Sequence, residues 1–286
     1  MSKNQTLSLR SQWLGERLRA ARVRAGYTLQ QVGDFLRLEG ASIGRFERGT
    51  HPIRPSYVRD LIGFYGISDR RERDILLRLN EDAWRKDWWD GDTDGLDMGF
   101  IDYTWLEARA RRIRAFSPLL IHGLLQTADY TRALTLAGLG TETPKSTVDR
   151  MVEVRMTRQQ ILTGDQPAEL CVILEELALR RAIGGIEIHR AQLEHLLVLE
   201  ALEHIEIRVL PPTLSWHPGL EGPFSCFELP DPYPNVAYFE ALLGRTFIEA
   251  EAKVQRFQRA YDDLYRLALS ARESRRLIKT ILKDDE

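Results

Sequence analysis

The sequence predicts a multi-domain chain, an all-α domain at the N-terminal end followed by a larger α+β domain. Three observations carry this reading. The chain has 286 residues, 43% of them hydrophobic, which suffices for two cores. Charge is divided: residues 1–80 hold 15 Lys/Arg against 8 Asp/Glu, whereas residues 81–286 hold 25 against 34. The formal net charge of −2 therefore conceals a basic head and an acidic body. That split fits a head that meets phosphate and a body that does not, with chance clustering of surface charge as the alternative. Finally, apolar residues recur at helical spacing through the first 80 positions, and strand-like alternation begins only beyond 110.

Leu9, Trp13, Leu14, Leu18, Ala21 and Ala25 define an amphipathic helix over 8–25, with Arg10, Arg17, Arg19, Arg22 and Arg24 on the opposite face and Gly26 as its stop. Thr28 is placed to cap a second helix, with Gln31 as capping-box partner and Val32, Phe35 and Leu36 facing inward. A tight connection leads to Ile43-Gly44-Arg45-Phe46-Glu47-Arg48-Gly49. Two short helices so joined have the layout of a helix-turn-helix, which lays its second helix in the DNA major groove. Ile43, Phe46 and Val32 are assigned to the core and Glu47 to a structural pair with an arginine. After the loop THPIRPS, Pro55 and Ser56 start a fourth helix through Tyr57, Val58, Leu61, Ile62 and Tyr65. Ser68 is expected to cap a fifth, with Ile75, Leu76, Leu79 and Ala83 on one face.

The helix-turn-helix domain is thus expected over 1–80 and a Trp-rich helix with an acidic, Gly-rich linker over 81–100. Trp84, Trp88, Trp89 and Trp105 flank this linker as packing area, with an aromatic ligand cage as the sharper alternative. Over 101–286 the pattern predicts helices near 101–110, 126–138, 145–163, 187–202 and 250–282, the last restarted by a Ser270–Glu273 capping box. Strands are predicted at 111–116, 169–175, 205–210, 223–229 and 235–240.

Cys171 and Cys226 sit in apolar strand runs and read as buried thiols of a reducing compartment. No apolar run reaches the length of a membrane span and the N-terminus lacks a signal core, so a cytoplasmic location is expected. His189 and His195 are six residues apart and cannot share one helix face as metal ligands, so no metal or cofactor is expected. Glu175, Glu176 and Glu240 at strand ends could pair for acid–base chemistry. No nucleophile or phosphate loop accompanies them, and caps or bridges to Arg180, Arg181 or Arg245 are preferred, so no enzyme is expected. Gly184-Gly185 reads as a turn. The loop SWHPGLEGPF (215–224), with Trp216 and His217, is the candidate ligand or partner surface, with a plain strand connection as the alternative.

The first 80 residues resemble the XRE (lambda-repressor-like) helix-turn-helix regulators. HGLLQTADYTRAL (122–134), VEVRMTRQQIL (152–162), ILEELALRRAIGG (173–185), AQLEHLL (191–197), VLPPTLSWHPGLEGPFSCFEL (209–229) and VAYFEALLG (236–244) resemble the C-terminal domain of the actinobacterial WhiJ-like regulators. The resemblance implies a dimeric transcription regulator, with a palindromic double-stranded operator. It also implies a small BldB-like partner protein in an antitoxin-like arrangement. Residues 101–286 would then sense a ligand or partner and dimerise, with Glu175, Glu240, Trp216 and His217 as candidate contacts.

By match to the family, the exposed N-terminal positions of the recognition helix are Glu39, Gly40, Ala41, Ser42, Gly44 and Arg45. The pattern departs from the usual one at Leu29, where Gln is typical, at Arg37, where Gly is typical, and at Glu39, where a capping Ser is typical. Arg45 suits guanine, Ser42 a base edge or phosphate, and Ala41 a thymine methyl; Glu39 can accept from cytosine but repels phosphate. Phosphate positioning falls to Gln30, Gln31, Arg48 and Arg54, with the arginines of the first helix nearby. With so few base-reading side chains, half-site spacing and DNA shape are expected to supply specificity. A protein-interaction module with secondary DNA binding is the alternative.

Overall fold

The computed structural model describes residues 8–85, 98–242 and 244–284. Of the linker expected over 81–100, residues 86–97, with Trp88, Trp89 and most of the Gly-rich stretch, lie outside them. The chain divides into two compact units between Tyr103 and Thr104.

The first unit contains α1 (Leu9–Arg24), α2 (Leu29–Leu36), α3 (Gly40–Glu47), α4 (Pro55–Phe64) and α5 (Arg70–Trp84). Leu9, Trp13, Leu14, Leu18 and Ala21 turn the apolar stripe of α1 inward, where Val32, Ile43, Val58, Leu61, Leu76 and Leu79 are equally buried. These positions recur at the three- and four-residue spacing of one helix face. Three residues placed by periodicity and one assigned cap differ from the structure. Arg10 is buried, and its guanidinium donates to the carbonyls of Asp82 and Arg85 at 3.4 and 3.5 Å. Phe35 is 45% exposed and stacks on Phe64, centroids 4.0 Å apart, so its ring is served by a surface stack instead of the core. Phe46 is only half-buried. Asp69, not Ser68, caps α5, its carboxylate accepting from the Glu72 amide at 2.9 Å.

Helix α6 (Met98–Arg109) crosses the division. The second unit continues with β1 (Arg112–Ser117), α7 (Ala128–Leu139), α8 (Lys145–Arg158), β2 (Glu169–Glu175), α9 (Glu176–Arg180), α10 (Ile186–Leu199), β3 (Ile205–Leu210), β4 (Phe224–Glu228), β5 (Val236–Ala241), β6 (Gly244–Ile248), α11 (Glu251–Leu267) and α12 (Ala271–Asp284). The described strands form one mixed sheet in the order β3-β2-β1-β4-β5-β6. Its first three strands are parallel, and β4, β5 and β6 join antiparallel. Parallel strands covered on both faces read as continuous apolar runs, as Leu170–Leu174 does.

On one face Phe116, Ile173, Phe224 and Ala237 form a core with Val254, Tyr261 and Leu264 of α11. On the other, Ile113, Ala115, Leu170, Val172 and Leu174 are as deeply buried. Cys226 lies in the first of these layers, and burial pushes its thiol up to about 12. Glu107 and Arg158 bind each other through both carboxylate oxygens at 2.7 and 2.8 Å, both residues buried, which ties α6 to α8. Ser270 and Glu273 form the expected capping box ahead of α12. Strand β6 was not foreseen, because Gly244–Ile248 is a five-residue run with no fully buried residue. The all-α helix-turn-helix region followed by an α+β domain is the fold class expected.

Candidate nucleic-acid interface

Helices α2 and α3 are set by their ends. Thr28 accepts from the Gln31 amide at 3.2 Å while the Gln31 side-chain oxygen accepts from the Thr28 amide at 2.8 Å. At the other end, Leu38 N–H bonds the Gly33 carbonyl at 2.8 Å and Arg37 N–H the Asp34 carbonyl at 3.2 Å. This paired closure requires a left-handed residue, and Arg37 supplies it at φ 58°. Helix α3 closes by the same bonds, Thr50 N–H to Arg45 and Gly49 N–H to Phe46, but there the left-handed residue is Gly49 at φ 69°. A β-carbon on Gly33 would stand 2.6 Å from the Leu38 carbonyl oxygen, so the tight connection needs glycine there.

The base of α3 is anchored on α1. Arg22 Nε and Nη2 reach the two oxygens of Glu47 at 2.6 and 3.0 Å, and Nη1 bonds the Tyr27 carbonyl at 2.7 Å. The bond to Glu47 raises the Arg22 guanidinium above its ordinary value. Glu47 is thus the structural residue the sequence suggested, and this arginine of α1 is committed to the fold.

The expected contact residues fall into groups. Glu39 stands at the N-cap of α3 without a side-chain capping bond, and Glu39 and Ala41 are exposed, with Gly40 and Ser42 half-buried. Gly40 lies against Gln30: a β-carbon there would be 3.2 Å from the Gln30 side-chain oxygen. Gln30 in turn donates to Asp34 at 2.8 Å, and Gln31 is engaged in its capping box. Arg45 donates to Ser42 Oγ at 2.8 Å, so the two foremost base-reading candidates hold each other. Gly44 is buried, not exposed, because the Arg48 guanidinium and Leu29 cover it; its would-be β-carbon is 3.1 Å from Arg48 Nη1. Arg48 and Arg54 are exposed, at the C-terminal end of α3 and the N-terminal end of α4. Sequence reasoning missed Thr50, whose hydroxyl bonds the Arg45 carbonyl at 2.9 Å and fixes the loop behind the recognition helix. Its signal was Gly49, which marks where α3 must close.

In the second unit the four candidates separate into two places. His217 is buried at 6% exposure, its Nε2 3.8 Å from Glu175 Oε1 and its ring edge-on to Phe116. It is drawn in because Gly219 lies flat on Phe116, where a β-carbon would come within 2.4 Å of the ring. Trp216, its neighbour, is 71% exposed and lines a groove together with Glu240. Glu240 accepts from the Tyr238 hydroxyl at 2.7 Å and pairs with Arg245 at 3.2 Å; Glu176 pairs with Arg180 at 2.6 Å. Glu175 and Glu240 sit on strands three positions apart, a lateral separation of about 14 Å, so they do not form a carboxylate pair.

Comparison with known families gives two matches. Residues 13–76 match the model of a helix-turn-helix domain. Residues 100–280 match a domain of unknown function, DUF5753. No curated protein and no solved structure matches the chain. Among the described residues no helix is long and apolar enough to cross a membrane. The helix-turn-helix domain marks the chain as a DNA-binding regulator.

Proposed function

Because the chain belongs to the DUF5753 family and carries a helix-turn-helix domain ahead of that module, we propose that it is a sequence-specific transcriptional repressor whose second domain modulates DNA binding. The observation that carries this is the recognition helix itself. Its C-terminal end is held on α1 by the Arg22–Glu47 pair, while Glu39 and Ala41 at its start, with Arg48 and Arg54 beyond it, stay exposed. A dimer reading a palindromic operator is part of the proposal, since each recognition helix offers few base-reading groups and two half-sites would multiply them. The modulator is a small BldB-like partner protein or a ligand taken up by the second domain. The chain performs no catalytic step in this reading, in keeping with the separation of Glu175 from Glu240 and the engagement of Glu240 by Arg245.

A second reading is favoured by the bareness of Gly40 and Ala41: an antitoxin-like module that binds a small protein and grips DNA secondarily. A footprint of the purified protein on its own promoter, with and without a small BldB-like partner protein, separates the two. Protection by the regulator alone, altered by the partner, supports the repressor. Absence of any protected site, together with tight binding of the partner, supports the second reading.

A further inference from the structure

The groove beside Trp216 has a composition that the DNA-binding role does not use. Its floor is aromatic: Phe257 of α11 packs edge-on to Phe224 at 5.4 Å and parallel to Phe239 at 6.2 Å. Its volume is about 930 Å³, within the usual size of small-molecule sites. Along one wall α11 presents Lys253, Arg256 and Arg259, all exposed, and none of these three side chains makes a hydrogen bond or ion pair among the described residues.

The carboxylates that also line the groove are largely spoken for. Asp263 pairs with Arg266, and Glu240 with Arg245. Among the described residues, Glu221 is the one lining carboxylate whose side chain has no partner, so uncommitted positive charge exceeds uncommitted negative charge.

We propose that this groove binds a small aromatic carboxylate. This names the ligand class for the modulating second domain and rests on that reading. The rings of Phe239, Phe257 and the exposed Trp216 offer faces for an aromatic body. Lys253 and Arg256, one helical turn apart, offer charge-assisted bonds to a carboxylate. A polyanion such as a phosphate ester fits less well, since its larger negative charge would also face Glu221. A neutral ligand would leave the cations unaddressed. A folded protein would bury a broad flat area, whereas this surface is concave.

The test is calorimetric titration of the full chain, without DNA, with naphthoate, indoleacetate and phenylpropionate, each beside its neutral amide. At least one acid is expected to bind, with its amide weaker by about tenfold or more. Lys253→Gln combined with Arg256→Gln is expected to weaken that acid by a similar factor, and Arg272→Gln on α12 to leave it unchanged. Both groove positions are exposed, and a melting curve verifies that the double variant folds. No binding of any acid, equal binding of acid and amide, or unchanged affinity in the double variant would each overturn the proposal. Binding of an acidic Trp-containing peptide in place of every acid would also overturn it, in favour of a protein partner. The regulatory reading fails separately: an acid that binds as expected but leaves operator affinity unaltered keeps the site and removes the modulation.

Discussion

Arg22 and Glu47 are joined through both carboxylate oxygens, at 2.6 and 3.0 Å, across 25 residues of sequence. The pair fixes the C-terminal end of the recognition helix to α1. Both side chains are largely buried, at 12% and 6% exposure, so loss of one leaves the other charged and without its partner. Glu47→Ala is therefore expected to cost about 3 kcal/mol of stability in the first domain, read by urea unfolding. The double change Arg22→Met with Glu47→Leu is expected to recover most of that loss, because neither charge is then stranded.

Arg37 adopts the left-handed conformation at φ 58° that α3 reserves for Gly49. A side chain there costs about 1 kcal/mol relative to glycine. Arg37→Gly should raise stability by about that amount, visible as a higher denaturation midpoint with an unchanged denaturant slope. A lower midpoint would show that the Arg37 side chain contributes more than its backbone costs.

His122 gives the second domain a pH dependence. Burial pushes its imidazole down to about 4, helped by the nearby Arg158 and Arg155 and opposed by Glu107. Its Nδ1 accepts from the Leu124 amide at 3.3 Å, which requires the neutral ring. The folded state therefore resists protonation while the unfolded chain protonates near 6.5. Above that pH the group contributes nothing; as pH falls from 6.5 towards 4 the unfolded state binds the extra proton and stability drops, by up to about 3 kcal/mol. His122→Asn retains an acceptor for Leu124 and should flatten this part of the stability–pH curve. An unchanged curve would place the dependence elsewhere.

Much of this was legible beforehand, and the failures have physical causes. The two capping boxes, Thr28–Gln31 and Ser270–Glu273, formed as read, since each needs only residues three apart, whereas the single cap at Ser68 was misplaced by one residue to Asp69. The five main strands were readable because their runs are buried on one or both faces. Strand β6 was not, having no buried run. Arg10 and Phe35 were misplaced because periodicity names a face but not what that face meets: Arg10 found backbone carbonyls, and Phe35 found Phe64. At the candidate interface the residue types were readable, but not that Ser42 and Arg45 bond each other or that Arg48 covers Gly44. Trp216 and His217, adjacent in sequence, part company because Gly219 packs on Phe116, a contact 103 residues away that no local pattern reports.

The Ser42–Arg45 bond carries its own consequence. Arg45 is held at 2.8 Å from Ser42 Oγ, which orders the guanidinium before DNA arrives. Ser42→Ala should weaken operator binding by about fivefold through lost ordering, less than removal of Arg45 itself. An effect of Ser42→Ala equal to that of Arg45→Ala, read by titration on the same duplex, would instead make Ser42 a direct DNA contact.

The most direct measurement is the affinity of the protein for the duplex its footprint protects, as wild type and as Arg45→Ala combined with Arg54→Ala, across a range of salt concentration. Wild-type affinity is expected to fall steeply with salt as phosphate counterions are released, and the double variant to bind about a hundredfold more weakly with a shallower salt slope. Equal affinity of the two proteins at low salt, or a wild-type affinity indifferent to salt, would contradict DNA recognition through this helix.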